Sequence, residues 1–100
     1  MDAGSTKMSF DWDQANTEHI ARHGVTPVEA EQVISEASLP IETEHRSGEE
    51  RYTELGQTAT GRLLVVVWTW RRRRIRVVTA FPANQKWRVL WRRFKGIQDA

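Results

Sequence analysis

Apolar positions are unevenly spread along the chain, and their spacing divides it into elements of two kinds. The densest run, Leu63 to Thr69, is apolar and β-branched on both faces, as a strand covered on both sides requires. Ile75 to Ala80 repeats that character in shorter form. The polar break between them, Arg71 to Arg74, has the length of a hairpin connection, so two antiparallel central strands are predicted with four arginines at their tip. Upstream, Leu39 to His45 alternates weakly, with Leu39, Ile41 and Thr43 opposite Glu42 and Glu44, which predicts an edge strand. Arg46 to Glu49 then forms a turn, Arg51 to Thr58 another strand, and Ala59-Thr60-Gly61 leads into the central pair.

Helical spacing governs the two ends. Asp13 can cap a first helix over Gln14 to His23, with Phe10 or Trp12 stapling its approach and Gly24 ending it. Thr26-Pro27-Val28-Glu29 combines a threonine cap, proline at the first helical position and a glutamate that completes a capping box. The second helix runs to about Glu36, and Pro40 forbids its continuation. Beyond Pro82, Trp87, Leu90, Trp91 and Phe94 recur at helical spacing while Lys86, Arg88, Arg92, Arg93 and Lys95 take the remaining sides. This predicts an amphipathic helix with its aromatic stripe on the sheet and a basic outer face. The expected class is α+β: two N-terminal helices, a four-stranded antiparallel meander and a C-terminal amphipathic helix. One domain over residues 10–96 is expected, with a polar, disordered lead at 1–9 and a tail at 97–100.

Composition changes this picture in two respects. A chain of 100 residues builds one core. With no cysteine it has neither disulfides nor thiolate metal sites, and without a membrane-length apolar run or a hydrophobic leader after Met1 the expected location is cytoplasmic. The formal charge of +2 conceals an asymmetry: residues 1–60 carry 4 Lys/Arg against 12 Asp/Glu, while residues 61–100 carry 11 against 1. Such a split either presents one face to a polyanion or acidic partner, or is neutralised across the fold. The five tryptophans could stack on bases or fill the core.

Among possible chemistries, metal binding has least support. His19, His23 and His45 form no ligand motif, although His19 and His23 are four apart on a helix; no cofactor is expected. Phosphate loops and nucleophile elbows are also lacking. Cleavage of RNA without a metal needs a base for the 2′-hydroxyl, an acid for the leaving oxygen and fixed cations for the charge on phosphorus. Arg51, Arg62 and Arg76, each on a predicted strand, could supply the cations. His23 and Glu50 are the expected proton carriers, because imidazole titrates near neutrality and a carboxylate beside Arg51 would be held ionised. Arg71, Arg72, Arg73 and Arg74 at the hairpin tip, with Arg88 and Arg92 on the last helix, could hold the RNA backbone; the alternative for the tip is a solvated charge run.

Several fragments in order, Phe10-Asp-Trp-Asp, Asn16, His23-Gly24-Val25 with Glu29-Ala30, Gly48-Glu-Glu-Arg51, Leu55-Gly56, Gly61-Arg62-Leu-Leu-Val-Val-Val and Ile75-Arg76-Val-Val, resemble the BrnT toxin family. The resemblance covers roughly Phe10 to Ala80. It implies a RelE-like ribonuclease fold, the toxin of a type II toxin–antitoxin module, metal-independent RNA cleavage that halts translation, and neutralisation by a BrnA-like antitoxin that brings DNA binding to the complex. Carried over position by position, it marks His23, Glu50-Arg51 and Arg76.

The chain departs from the family pattern after Arg76. Thr79-Ala80-Phe81 stands where Ser-Ala-Arg is usual, Trp87 where a glutamate precedes Arg88, and Trp91 at the tyrosine position. An arginine, a carboxylate and a phenol are thereby replaced by apolar aromatics, which bears on catalysis more than on fold. Two readings follow, a ribonuclease toxin and a non-catalytic module of the same fold that binds nucleic acid or an acidic partner.

Overall fold

The computed structural model describes residues 8–96. The elements run α1 (Gln14–Ala21), α2 (Pro27–Ser35), β1 (Leu39–Arg46), β2 (Glu49–Gln57), β3 (Leu63–Arg71), β4 (Arg74–Pro82) and α3 (Gln85–Lys95). The strands form one antiparallel sheet in the order β1-β2-β3-β4, the meander expected from the pattern. Positions 1–7 of the expected lead and the tail at 97–100 lie outside the described residues. Ser9 is described, and its carbonyl accepts from the Ile75 amide at 2.8 Å. Phe10 forms a parallel bridge with Ile75, so this short segment covers the tip end of β4's outer edge.

Both N-terminal helices begin with reciprocal capping boxes. Asp13 accepts from the Asn16 amide while the Asn16 side chain accepts from the Asp13 amide, and Thr26 and Glu29 do the same for α2 with Pro27 behind them. Helix α1 ends at Ala21, two residues before the expected boundary, and Arg22 and His23 lie in the turn that leads to Gly24. The left-handed Gly24 (φ 73°) donates to the Ala21 carbonyl at 3.0 Å and closes the helix.

Alternation along β3 feeds two separate cores. Leu64, Val66 and Trp68 join Ile75, Val77 and Ala80 beneath Ile20, Val25, Ala30, Val33 and Ile34, the residues of α1, α2 and their connection. Leu63 and Val65 point the other way and meet Leu55, Ala83 and Trp91, with Leu39, Ile41, Phe81 and Trp87 at the margin. The aromatic stripe of α3 therefore packs on the sheet through its tryptophans, whereas Leu90 and Phe94 remain exposed. A single helix with one buried side chain, Trp91, covers only the Leu63 end of this second face. The end near Arg71 has no helix over it.

Two hairpin tips meet at that open end. The β3–β4 connection is tighter than expected: strand pairing continues to Arg71 and Arg74, leaving Arg72 and Arg73 as a two-residue turn with φ of 53° and 65°. Ser47 and Gly48, also at positive φ, turn β1 into β2.

Candidate functional site: a cationic cleft beside helix α1

Strand register fixes the first components. Arg51 is partnered with Thr69 and Thr69 with Arg76, so the three side chains form a row across β2, β3 and β4 on the face that α3 leaves open. Two strand spacings separate the arginines at the backbone, roughly 10 Å. A bulge shapes the rest of the row: Val67 pairs with Thr79 and Trp68 with Val77, so Val78 is the extra residue. Because of it, Arg76 and Thr79, three apart in sequence, share one face.

Helix α1 lies along the β4 edge of this row. Buried Asn16 donates from Nδ2 to the carbonyls of Asp11 (2.9 Å) and Val77 (3.2 Å), tying the segment before α1, the helix and β4 together. One turn later His19 Nε2 lies 3.1 Å from Thr79 Oγ1 in a hydrogen bond whose donor depends on the imidazole tautomer. The result is an open cleft of about 530 Å³ in which Asn16 and His19 face Glu49, Arg51, Thr69, Arg71 and Arg76.

Carboxylates hold both central guanidinium groups in place. Arg51 Nε donates to Glu49 Oε2 at 3.0 Å. Arg76 reaches Asp11 Oδ2 at 3.4 Å and Asp13 at 3.1 Å, with its side chain only 15% exposed. The hydrogen bond with Asp13 raises the Arg76 pKa against an opposing effect of burial, so the group stays cationic at every relevant pH. The same contact with Arg76, followed by the Asn16 amide, holds the Asp13 carboxyl below its ordinary range. Asp13 thus serves two ends at once, capping the helix that carries His19 and orienting the arginine His19 faces.

The predicted site residues separate into groups. Arg51, Arg71 and Arg76 converge on the cleft. His23 does not line it; its ring stands 5.7 Å from that of His19 and 6.3 Å from that of Phe81. Glu50 faces the opposite side of β2 from Arg51, where it accepts from the Tyr52 hydroxyl at 3.3 Å. Arg62 sits at the far end of the sheet, where it donates to Glu29 Oε2 at 2.7 Å and to the Gly24 carbonyl at 3.0 Å, clamping the start of α2. Arg74 bonds Ser9 Oγ and the Phe10 carbonyl, and Arg72, Arg74, Asp11 and Asp13 line a smaller hollow beside the cleft. Arg73 occupies the turn, exposed. Arg88 and Arg92 lie on α3, away from the cleft lining.

Sequence reasoning passed over His19 and Glu49 as cleft residues. The aromatic departures Phe81, Trp87 and Trp91 all belong to the second core. Among the described residues, no group of three or more His, Asp or Glu side chains is placed to hold a metal ion. No helix among them is long and apolar enough to cross a membrane.

Fold and cleft together define a small α+β domain with an arginine-lined groove flanked by an imidazole and a carboxylate. A family model described as ribonuclease toxin, BrnT, of type II toxin-antitoxin system matches residues 12–86, which include every residue of the cleft. The chain belongs to this family of type II ribonuclease toxins. Membership implies RNA as the substrate and an antitoxin protein as the partner. No individual curated protein matches the chain closely.

Proposed function

We propose that the cleft between α1 and strands β2–β4 cleaves RNA without a metal ion and is closed by a BrnA-like antitoxin, through which the complex binds DNA. The observation that carries this reading is the convergence of Arg51, Arg71 and Arg76 with His19 and Glu49 around one open groove. A phosphodiester between the row arginines would have its anionic oxygens flanked by guanidinium groups, which stabilise the extra charge that develops on phosphorus.

In this reaction the 2′-oxygen attacks phosphorus, the bond to the 5′-oxygen breaks, and a cyclic phosphate and a free 5′-hydroxyl result. One proton leaves the 2′-hydroxyl and one reaches the departing oxygen. We assign these transfers to His19 and Glu49, the imidazole and carboxylate on the cleft wall, in place of His23 and Glu50, which lie outside it. The hydrogen bond to Thr79 orients the His19 ring, and the ion pair with Arg51 keeps Glu49 at hand.

The test is cleavage of total RNA by purified protein in chelator, alongside growth arrest on induction. Wild type should cut in chelator and arrest growth, co-expressed antitoxin should restore growth, and His19→Ala with Arg76→Ala should abolish cutting while the fold persists. A double variant that cuts as fast as wild type would overturn the assignment. The second reading, a binding module without catalysis, draws on Phe81, Trp87 and Trp91 packing a core where family members carry polar groups. It requires RNA binding that weakens steeply with salt and no cutting under any condition.

A further inference from the structure

The face that carries α1 and α2 is left bare at its hairpin end. Here His45, Glu50, Tyr52 and Trp70 line a hollow of about 450 Å³. Glu49 and Thr69 line both this hollow and the cleft, so the two adjoin at the hairpin end of the sheet, one on each face. Trp70 is 54% exposed, an unusual position for so large an apolar ring in a domain this small. It is nonetheless braced: its ring meets buried Trp68 edge-on at 5.2 Å, and Trp68 stacks on Tyr52 at 4.5 Å while donating to Glu54 at 2.7 Å.

Burial, the charge of Glu50 and the Glu50 hydrogen bond all raise the Tyr52 pKa, so the phenol remains a donor to Glu50 and fixes that carboxylate in the hollow. Arg71 to Arg74 follow Trp70 directly in the chain. Single-stranded nucleic acid is held by this combination, cations along the backbone and a rigid aromatic face for a base.

We infer that Trp70 is a stacking platform for one base of the RNA strand beside the scissile phosphate, with Glu50 accepting from that base's amino group. The inference rests on the reading of the cleft as the cleavage site and adds a subsite to it. A carboxylate acceptor favours bases that present an amino group, cytosine above all, over uracil.

Binding of short 2′-O-methyl single-stranded oligonucleotides, which offer no 2′-hydroxyl for attack, tests this directly. An abasic nucleotide is stepped through the sequence, and the wild type is compared with W70A, W70F and E50Q. For wild type, one abasic position should weaken binding by about 5- to 150-fold. W70A should show a similar loss with the complete oligonucleotide and be indifferent to that abasic position, whereas W70F should retain most of the affinity. E50Q should bind cytosine and uracil at the subsite with more nearly equal affinity. The salt slope should stay the same in W70A and fall by about one in Arg73→Ala, because only the second removes a backbone cation.

Equal binding by W70A and wild type at every position overturns the subsite. So does a W70A variant that loses neutralisation by the antitoxin while its oligonucleotide affinity is unchanged, which would mark this face as a protein contact. The cleft reading fails separately, if Arg51→Ala and Arg76→Ala cut RNA at the wild-type rate.

Discussion

The two faces of one sheet are finished differently. Beneath α1 and α2 the β3 side chains Leu64, Val66 and Trp68 are all buried, and capping boxes, Asn16 and the Arg62–Glu29 pair lock the helices down. On the reverse face one helix covers only the Leu63 end, and beyond its reach the outward positions of β3 change from leucine and valine to Thr69 and Arg71. Burial under α1 and α2 supplies the stability that lets the hairpin end of the sheet remain open, polar and charged. Core-forming and charged side chains thus share the same strand, the charged ones at its hairpin end.

The largest effect that would test this division is Leu64→Ala. This fully buried residue should cost about 2–5 kcal/mol in chemical denaturation. A loss of under ~1 kcal/mol would mean that the closed face is not the main source of stability. Conversely, Arg51→Ala and Arg76→Ala should each lower kcat/KM for RNA by about 10²–10³. Arg51 keeps a single ion pair among the described residues, so the denaturation midpoint of Arg51→Ala should move far less than that of Leu64→Ala. Arg76→Ala, which leaves Asp11 and Asp13 without their guanidinium partner, should move it further than Arg51→Ala.

A smaller effect contrasts the two helix contacts. A Cβ at Gly56 would stand 3.1 Å from Val33 Cγ1 and 3.3 Å from Ser38 Cβ, so Gly56→Ala should cost about 1–3 kcal/mol by overpacking α2 against β2. Exposed Phe94 on α3 should tolerate alanine within about 0.5 kcal/mol. If Phe94→Ala proves the costlier of the two, α3 is held more firmly than its exposure indicates.

The smallest effect is a shift in acid unfolding. Burial raises the Glu29 pKa, but hydrogen bonds from Arg62 and Thr26 and the charge of Arg62 outweigh it and hold the carboxyl below its ordinary value. A folded pKa below the unfolded one contributes stability that is present above the unfolded value and is lost as pH falls through the folded one. Glu29→Gln should therefore be less stable than wild type at neutral pH and converge with it below the glutamate range, as pH-dependent denaturation would record. Parallel curves for the two proteins at every pH would remove Arg62 from the account of how α2 is held.

Much of this architecture was legible in the sequence because its signals are local. Caps at Asp13 and Thr26, the apolar run of β3 and the tryptophan spacing of α3 depend on near neighbours, and each forms as expected. The positions of the charged groups depend on strand phase. Adjacent residues of a regular strand face opposite sides, so Glu50 could share a site with Arg51 only through an irregularity that β2 lacks there; Glu49, two residues away, shares it. On β4 an irregularity does occur, and the bulge at Val78 brings Thr79 onto the face of Arg76, where it meets His19. Nothing in the alternation of Ile75 to Ala80 announces that extra residue. His19 rather than His23 reaches the cleft because α1 runs along the β4 edge and ends at Ala21, before His23.

The Arg72–Arg73 turn has a consequence for engineering. Left-handed backbone costs a residue with a side chain about 1–2 kcal/mol relative to its usual conformation, and asparagine-glycine adopts the same turn with far less strain. Grafting that dipeptide onto the tip should raise the melting temperature while removing two cations from the rim, yielding a hardier protein that captures RNA more slowly. The wild-type chain keeps both cations at its tip and, with them, the strained backbone.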